Sequence, residues 1–290
     1  MMMLPPAREQ VIENIRRCAA AGRFHEKVEV GDPQLDPEQL RRHILDYVAQ
    51  LDGFPFKVRN FIARRLVDLM VFFWSRGTNE IRGMELLDGF EGPAFLTSNH
   101  FNPYDNGFLR TLSRKAGRGL LYAVSQGTNF IQPGVPGFIL RNIDVIPIIQ
   151  DPQYMETRFQ ELLRAQLDRN RFILIYPEQE MWFNYRKPRP LKRGAYLFAA
   201  RHGVPVISVF TELVDLPRMQ APSFRHVKAV AHVLGIIRPD PSRTDRENSF
   251  EMCAQDYALK KAAYERCYGK PLDYAFDPQD IAGWTGPSDI

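Results

Sequence analysis

The stretch FLTSNHFNPYD, residues 95–105, ends an apolar run on a histidine and places a carboxylate five positions later. Residues 93–97 are predicted to form a buried strand, and Asn102 followed by proline fits the start of a helix. His100 would lie at the end of this strand and Asp105 in the first helical turn. A carboxylate there can hold the imidazole in one tautomer and stabilise its protonated form. The stretch therefore predicts a strand, loop and helix that carry a histidine base and its orienting acid.

A histidine and an aspartate five positions apart also occur by chance, so the spacing alone is weak evidence. The surroundings of His100 favour a functional role, because Asn99 and Asn102 flank it and no apolar stripe is present to bury it. An exposed histidine can change its protonation near neutral pH, which suits it to acid–base chemistry.

Short apolar runs alternate with amphipathic stretches after Gly77. This alternation predicts an α/β fold with a mixed, mostly parallel sheet flanked by helices. The predicted strands are residues 94–97, 120–124, 145–149, 172–176, 205–210 and 227–234, and the predicted helices between them are residues 105–115, 152–169 and 194–202. Functional loops of such a fold lie at strand ends, where His100 and the segment after Tyr176 fall.

Three regions are predicted along the chain. Residues 1–76 form an N-terminal arm and amphipathic helices, and residues 77–240 form the α/β core. Residues 241–290 contain a last helix, residues 244–268, and a tail rich in Pro, Asp and Gly.

Composition indicates a globular protein in a reducing compartment. A chain of 290 residues with 44% hydrophobic residues can bury one large core. Cys18, Cys253 and Cys267 are odd in number and lack paired spacing, so neither a disulfide scaffold nor a metal site is predicted. The start MMMLPPAREQ lacks the apolar stretch of a signal peptide. The net charge of +4 is small, but two segments concentrate basic residues.

The first basic segment runs from Phe54 to Arg76 and has five basic residues against the single acid Asp68. Its longest apolar run, residues 69–74, is far shorter than the roughly 20 residues that a membrane span needs. Apolar residues recur at helical spacing, which is typical of a helix lying in a membrane interface. The alternative is an amphipathic helix packed on its own domain.

The second basic segment, RKPRPLKR at residues 186–193, contains two prolines and is predicted to be a loop. Its expected partner is an anion: a phosphate, the phosphates of coenzyme A, an acidic carrier protein or an anionic lipid head group. Nucleic acid is not expected, because no nucleic-acid-binding motif accompanies the charge.

Four segments, in order along the chain, resemble motif blocks of the glycerolipid acyltransferase superfamily, specifically its 1-acyl-glycerol-3-phosphate acyltransferase branch. Residues 99–105 resemble its catalytic N-H-x-x-x-x-D, and GFILRNIDVIPII at residues 137–149 resembles its glycine-to-strand block. Tyr176-Pro177-Glu178 is similar to its F-P-E, and KRGA at residues 192–195 to its K-K-G-A. GVPVISV at residues 203–209 is similar to G-V-P-I-V-P-V. With the lead-in RGME at residues 82–85, the resemblance covers residues 81–210.

The resemblance implies transfer of a fatty acyl group from acyl-CoA or acyl carrier protein to a hydroxyl of a lysophospholipid such as 1-acyl-glycerol-3-phosphate. His100 is the expected general base, oriented by Asp105, with no bound cofactor and no metal. The family commonly carries amphipathic helices before this region, so the segment from Phe54 to Arg76 is expected to bind a membrane surface. The expected location is the cytoplasmic face of a membrane, peripheral and without a transmembrane span.

Further site residues are expected around this pair. The expected substrate-binding residues are Asn99, Asn102, Pro177, Glu178, Arg186, Lys192, Arg193 and Gly194. Backbone N–H groups of residues 102–104, at the suspected helix start, are candidate donors to the oxyanion. Ser98 remains open as a nucleophile, although its surroundings are not those of an activated one.

The chain departs from the family pattern at positions where the family carries basic residues. Gln179-Glu180-Met181 replaces G-T-R, Gln150 replaces an arginine, and Ser125 or a neighbour replaces a lysine. Either basic residues of the 186–193 loop bind the acceptor phosphate, or the acceptor is a non-phosphate lipid such as a glycolipid. Two further alternatives are a thioester hydrolase that uses the same histidine and aspartate, and a non-catalytic membrane- or lipid-binding protein.

Overall fold

The computed structural model describes residues 7–31, 36–75, 79–103 and 105–286. Within these ranges the helices are α1 (Arg8–Ala20), α2 (Pro37–Gln50), α3 (Phe54–Ser75), α4 (Asn106–Lys115), α5 (Gly134–Asn142), α6 (Pro152–Glu156), α7 (Arg158–Leu167), α8 (Gly194–Arg201) and α9 (Asp245–Tyr268). The strands are β1 (Asn79–Arg82), β2 (Ala94–Thr97), β3 (Leu121–Gln126), β4 (Val145–Ile148), β5 (Phe172–Ile175), β6 (Val206–Ala221) and β7 (Phe224–Ile237). Short 3₁₀ helices cover Met84–Leu87, Gly127–Ile131 and Pro278–Asp280.

The described strands form one sheet in the order β1-β7-β6-β2-β5-β3-β4. β6 and β7 pair antiparallel, whereas every other neighbouring pair is parallel. The predicted mixed, mostly parallel sheet flanked by helices is therefore confirmed. The predicted strand at residues 94–97 is the central one and is fully buried. Because β2, β5, β3 and β4 run parallel, their carboxyl ends share one edge of the sheet.

Local sequence sets several helix ends. The Asp36 side chain accepts hydrogen bonds from backbone N–H groups at the start of α2, and proline occupies the first helical position. Thr244 and Glu247 form a reciprocal capping box at the start of α9. Gly269 ends α9 in the left-handed conformation, with φ of 65°.

Three elements differ from the prediction. β6 and β7 extend well beyond residues 205–210 and 227–234 and form a long hairpin. Its outer part carries exposed side chains such as Arg218 and Met219, so no apolar run marks it, and the strands satisfy each other's backbone groups. The predicted helix 152–169 is broken at Thr157, whose hydroxyl donates to the Gln153 carbonyl at 2.6 Å.

A second apolar cluster lies apart from the main core between the sheet and its helices. Val11 and Ile15 of α1 pack there with Trp182 and with Ile281 of the C-terminal tail. Side chains from all three predicted regions thus meet in one cluster. The predicted boundary at residues 76 and 77 lies outside the described residues. Among the helices of the described ranges, none combines the length and apolarity that a bilayer crossing requires.

Candidate active site

His100 and Asp105 lie on the loop between β2 and α4. Nδ1 of His100 is 2.7 Å from Oδ2 of Asp105, and the same oxygen accepts the Phe101 N–H at 3.1 Å. An ionised carboxylate only accepts hydrogen bonds, so Nδ1 carries the proton and Nε2 is the nitrogen that can take another. The Asp105 side chain is almost completely buried, whereas that of His100 is 22% exposed. The arrangement is the one that the predicted general base and its orienting carboxylate require.

Tyr176, which directly follows β5, completes this pair. Its ring stacks on the His100 imidazole, with 4.0 Å between ring centroids and 8° between planes. Its hydroxyl donates to Oδ1 of Asp105. Burial, reinforced by the charge of Asp105, raises the pKa of Tyr176 well above its ordinary value, so the hydroxyl keeps its proton. No role was predicted for Tyr176; the available signal in the sequence was a hydroxyl where the family motif has phenylalanine.

Glu178 holds the backbone of His100 in place. Its carboxylate accepts the His100 backbone N–H at 3.2 Å and pairs with Arg189, whose Nη2 is 2.9 Å away. Both side chains are buried, and the Arg189 guanidinium also donates to the Phe24 carbonyl at 2.9 Å. Burial lowers the pKa of Arg189, while the adjacent Glu178 opposes this effect. Glu178 therefore positions the backbone of the loop that carries His100.

A cavity of 690 Å³ opens beside His100 and Asp105. This volume is within the range of small-molecule binding sites. Much of its wall is apolar and comes from β3, β4, α5 and α8, with Val124, Leu140, Val145, Ile148 and Phe198 among its members. The histidine thus adjoins a space that can hold an apolar chain.

The positions that depart from the family pattern also line this cavity. Ser125, Gln150 and Met181 all belong to its wall, together with Gln126 and Glu180. The family pattern carries basic residues at or beside three of these positions. The structure brings their replacements together in one wall.

Asn99, Asn102 and Ser98 were expected to contact substrate or left open as reactive groups. The Asn99 amide accepts the Thr211 N–H at 2.7 Å and donates to the Thr211 carbonyl at 3.1 Å, which ties the loop to β6. Ser98 lies 3.3 Å from the Thr211 hydroxyl, and Asn102 is buried. These three residues and Glu178 are not among the described residues that line the cavity.

The basic loop at residues 186–193 requires a correction, because three of its cations are engaged within the chain. Arg186 forms an ion pair with Asp215, and Nζ of Lys187 is 2.8 Å from a carboxylate oxygen of Asp280. Arg189 pairs with Glu178, as described above. The loop therefore does not present all five charges to an external anion, and Arg186 is not among the described cavity-lining residues.

The end of this loop reaches the cavity. Lys192 of the loop lines the cavity wall, and so do the neighbouring Gly194 and Pro177. The Lys192 N–H donates to the Pro177 carbonyl at 2.8 Å. Arg193 instead donates to the Ser249 hydroxyl at 3.2 Å and lies over the ring of Phe250. Substrate binding by Lys192, Gly194 and Pro177 stays a prediction that their position allows.

The oxyanion donors expected at residues 102–104 are not found in the described part of this loop. The Asn102 N–H lies 3.4 Å from Oδ2 of Asp105, and Pro103 has no N–H. Residue 104 lies outside the described residues.

Glu212, His232 and Cys267 form the cluster in the described residues whose side-chain atoms are close enough to hold a metal ion. Nε2 of His232 is 2.8 Å from Glu212 and 3.7 Å from the Cys267 sulfur. Burial raises the pKa of Cys267 to about 11, which disfavours the thiolate that a metal requires. The histidine and glutamate already satisfy each other as a hydrogen-bonded pair.

The part of the chain that carries this site matches a known protein family. Residues 77–212 match the protein-family model described as Acyltransferase. No curated protein matches the chain. Among solved structures, the chain is similar to the 1-acyl-sn-glycerophosphate (LPA) acyltransferase PlsC from Thermotoga maritima, with 12% sequence identity and a TM-score of 0.47. That similarity covers 82% of this chain and 98% of the other.

Proposed function

We propose that this chain, which matches the acyltransferase family model over residues 77–212, transfers a fatty acyl group from an acyl thioester to a hydroxyl of a lysolipid. Acyl-CoA and acyl carrier protein are the candidate donors. The observation that carries the proposal is the hydrogen-bonded pair of His100 and Asp105 at the wall of a partly apolar cavity.

His100 acts as the general base in the proposed reaction. Its Nε2 takes the proton of the acceptor hydroxyl while that oxygen attacks the thioester carbonyl carbon. The tetrahedral intermediate then expels the thiolate, and the imidazolium returns the proton to the sulfur. Asp105 holds the ring through Nδ1 and stabilises its positive charge between these steps, and Tyr176 holds Asp105. No acyl-enzyme forms.

The test offers the purified 290-residue chain palmitoyl-CoA or palmitoyl acyl carrier protein, with lysophospholipids and monoacylated glycolipids as acceptors. Mass spectrometry identifies the lipid products, and free thiol is measured with and without acceptor. We expect a diacylated product together with thiol release that depends on the acceptor. Equal thiol release without acceptor would identify a hydrolase, and no release with any acceptor would favour a lipid-binding protein.

The outer face of α3 supports binding to a membrane surface. Phe54, Phe61 and Leu69 are 77%, 62% and 53% exposed, and they follow one side of the helix with Val58, Ile62 and Leu66. The opposite side makes polar and apolar contacts with the domain: Asn60 donates to the Asn142 carbonyl at 2.7 Å, Arg64 pairs with Asp144, and Ala63 and Val67 pack inward. The contacts of its inner side hold the helix on the domain, while six large apolar side chains of its outer side stay exposed. We propose that this face inserts into the interface of a bilayer.

Two basic residues flank the exposed face in a way that fits an anionic lipid surface. Lys57 is exposed, and Arg65 is 63% exposed although it forms an ion pair with Asp68 at 3.0 Å, whereas Arg59 bonds to Asn142 and Arg64 to Asp144. The positive charge that the described part of α3 offers to a membrane is therefore smaller than its sequence suggests. Arg76 and the side chains of residues 72–75 lie outside the description.

Replacing both Phe61 and Leu69 by serine is expected to weaken binding to anionic phospholipid vesicles by at least about tenfold. The physical reason is the loss of two large apolar side chains, each of which contributes about 1.5–3 kcal/mol when fully buried. Vesicle cosedimentation measures the change. Leu86→Ser is the matched control, because Leu86 is 49% exposed outside α3. Unchanged binding of the double variant, or an equal loss in the control, would contradict the proposal.

A further inference from the structure

The polar wall of the cavity follows the carboxyl ends of four neighbouring strands. His100 follows β2, Glu180 follows β5, Gln126 ends β3 and Gln150 lies just beyond β4. The sheet order β2-β5-β3-β4 places them along one edge. Three strand spacings of about 4.8 Å separate the first and last strands, or roughly 14 Å. A head group attached to the reacting hydroxyl therefore has polar partners within reach along this edge.

The charge of this wall does not suit a phosphate. The described lining residues include two lysines, Lys27 and Lys192, but three carboxylates, Glu29, Glu180 and Asp105. With His100 neutral, the net charge of the lining is −1, and none of the described lining residues is an arginine. Phosphate sites use arginine forks or an excess of positive charge, and like charges placed together are unfavourable.

The hydrogen-bonding groups of the wall suit hydroxyls. Nε2 of Gln126 donates to Oε1 of Glu180 at 2.8 Å, and Nδ2 of Asn129 donates to Oγ of Ser125 at 3.0 Å. An ionised carboxylate only accepts hydrogen bonds, and a phosphate at neutral pH is likewise mainly an acceptor, so the two cannot bond directly. A hydroxyl both donates and accepts, and it can bond to Glu180 and to the neighbouring amides together.

From these observations we propose that the lipid acceptor has a neutral, hydroxyl-rich head group, such as a sugar or a polyol. Glu180 and Gln126 receive its hydroxyls, with Gln150 and the Ser125–Asn129 pair farther along the same edge. The apolar part of the cavity takes the fatty acyl chain. This inference rests on the proposed acyl transfer and specifies the acceptor for the same site.

The first test compares three acceptors in neutral detergent micelles with one acyl-CoA: monoacyl glucosylglycerol, monoacylglycerol and 1-acyl-glycerol-3-phosphate. We expect kcat/KM for the glucosylated acceptor to exceed that for the phosphate by at least about tenfold, with monoacylglycerol below the glucosylated acceptor. An equal or higher value for the phosphate would overturn the inference and leave acyl transfer standing. Transfer to none of the three would overturn the proposed function, and the inference with it.

The second test changes the charge of the wall. Met181→Arg places a cation beside Glu180, whereas Met181→Gln is a matched uncharged control. We expect the arginine variant to raise the ratio of phosphate to glucosylated product by at least about tenfold, and the glutamine variant to leave it within about twofold. Glu180→Gln should raise the same ratio, because it removes the charge that excludes phosphate. A ratio measured on one preparation is insensitive to partial unfolding, and a ratio unchanged in all variants would overturn the inference.

Discussion

His100→Ala is expected to lower kcat for acyl transfer by about 10²- to 10⁴-fold, the usual contribution of a positioned general base. The side chain is partly exposed and its imidazole packs against Tyr176, so the fold should survive its truncation. Product formation under saturating acceptor measures the effect, and circular dichroism checks the fold. A variant that retains more than about a tenth of the wild-type kcat would contradict the role of His100 as base.

Two graded variants separate the base from the groups that hold it. Asp105→Asn keeps the size of the side chain but removes the charge that stabilises the imidazolium, so a large loss of kcat is expected. Tyr176→Phe keeps the ring stacked on His100 and removes only the hydroxyl bond to Asp105. A hydrogen bond to a charged group is worth about 1.5–3 kcal/mol, which gives a loss of about tenfold or more. If Tyr176→Phe lowered kcat as much as His100→Ala does, the expectation that Tyr176 only holds Asp105 would be contradicted.

Asp256→Ala is expected to destabilise the protein by about 3–5 kcal/mol, because it leaves a buried charge without its partner. Asp256 and Lys260 of α9 form an ion pair with 0% exposure on both sides. Thr97 donates to Asp256 at 2.7 Å, and Tyr196 and Ser208 donate to the same carboxylate. Nζ of Lys260 also donates to Thr97 at 3.0 Å. This network joins α9 and α8 to the central strand β2 and to β6.

The matched control removes both charges. Asp256→Leu combined with Lys260→Met should recover part of the loss, because an apolar pair of similar volume can replace a buried ion pair. The hydroxyls of Thr97, Tyr196 and Ser208 lose their acceptor in this variant, which limits the recovery. Urea unfolding of Asp256→Leu, Lys260→Met and the double variant gives the coupling energy between the two side chains. Singles that lose less than about 1 kcal/mol, or a double variant no more stable than the singles, would contradict the account.

The pH dependence of Asp256→Ala has a definite sign. Burial lowers the pKa of the Lys260 ammonium, and removal of its carboxylate leaves this effect unopposed. The folded state then binds fewer protons than the unfolded state between the lowered pKa and the ordinary lysine value. Stability of this variant should therefore rise as the pH is raised through that window.

Local pattern was sufficient for most of the fold. The predicted strand 94–97 matches β2, and the start of the predicted last helix matches the Thr244 capping box that precedes α9. The outer hairpin of β6 and β7 was missed, because those residues are held by pairing with each other and not by burial of an apolar run. The break at Thr157 was missed as well, since the backbone leaves helical geometry at this one residue, with φ of −116° and ψ of −89°, and neither proline nor glycine marks the position.

The candidate site likewise contains one contact that the sequence predicts and others that depend on the fold. His100 and Asp105 are five residues apart, so local geometry is enough to predict their contact. Tyr176 reaches them only because β2 pairs with β5, where Thr97 is opposite Ile175. The partners of the basic loop were beyond prediction for the same reason, since Asp215 and Asp280 are distant from it in sequence.

By itself, the sequence determined the alternation of strands and helices, the histidine with its aspartate, and the substitutions at Gln150 and Met181. Only the tertiary structure decided that these positions share one cavity wall, that most charges of the 186–193 loop are neutralised within the chain, and that large apolar side chains on the outer side of α3 stay exposed. The physical reason is range. Backbone preferences, capping and short spacings act within a few residues, whereas the charge and exposure of a side chain depend on strand order and on partners far away in the chain.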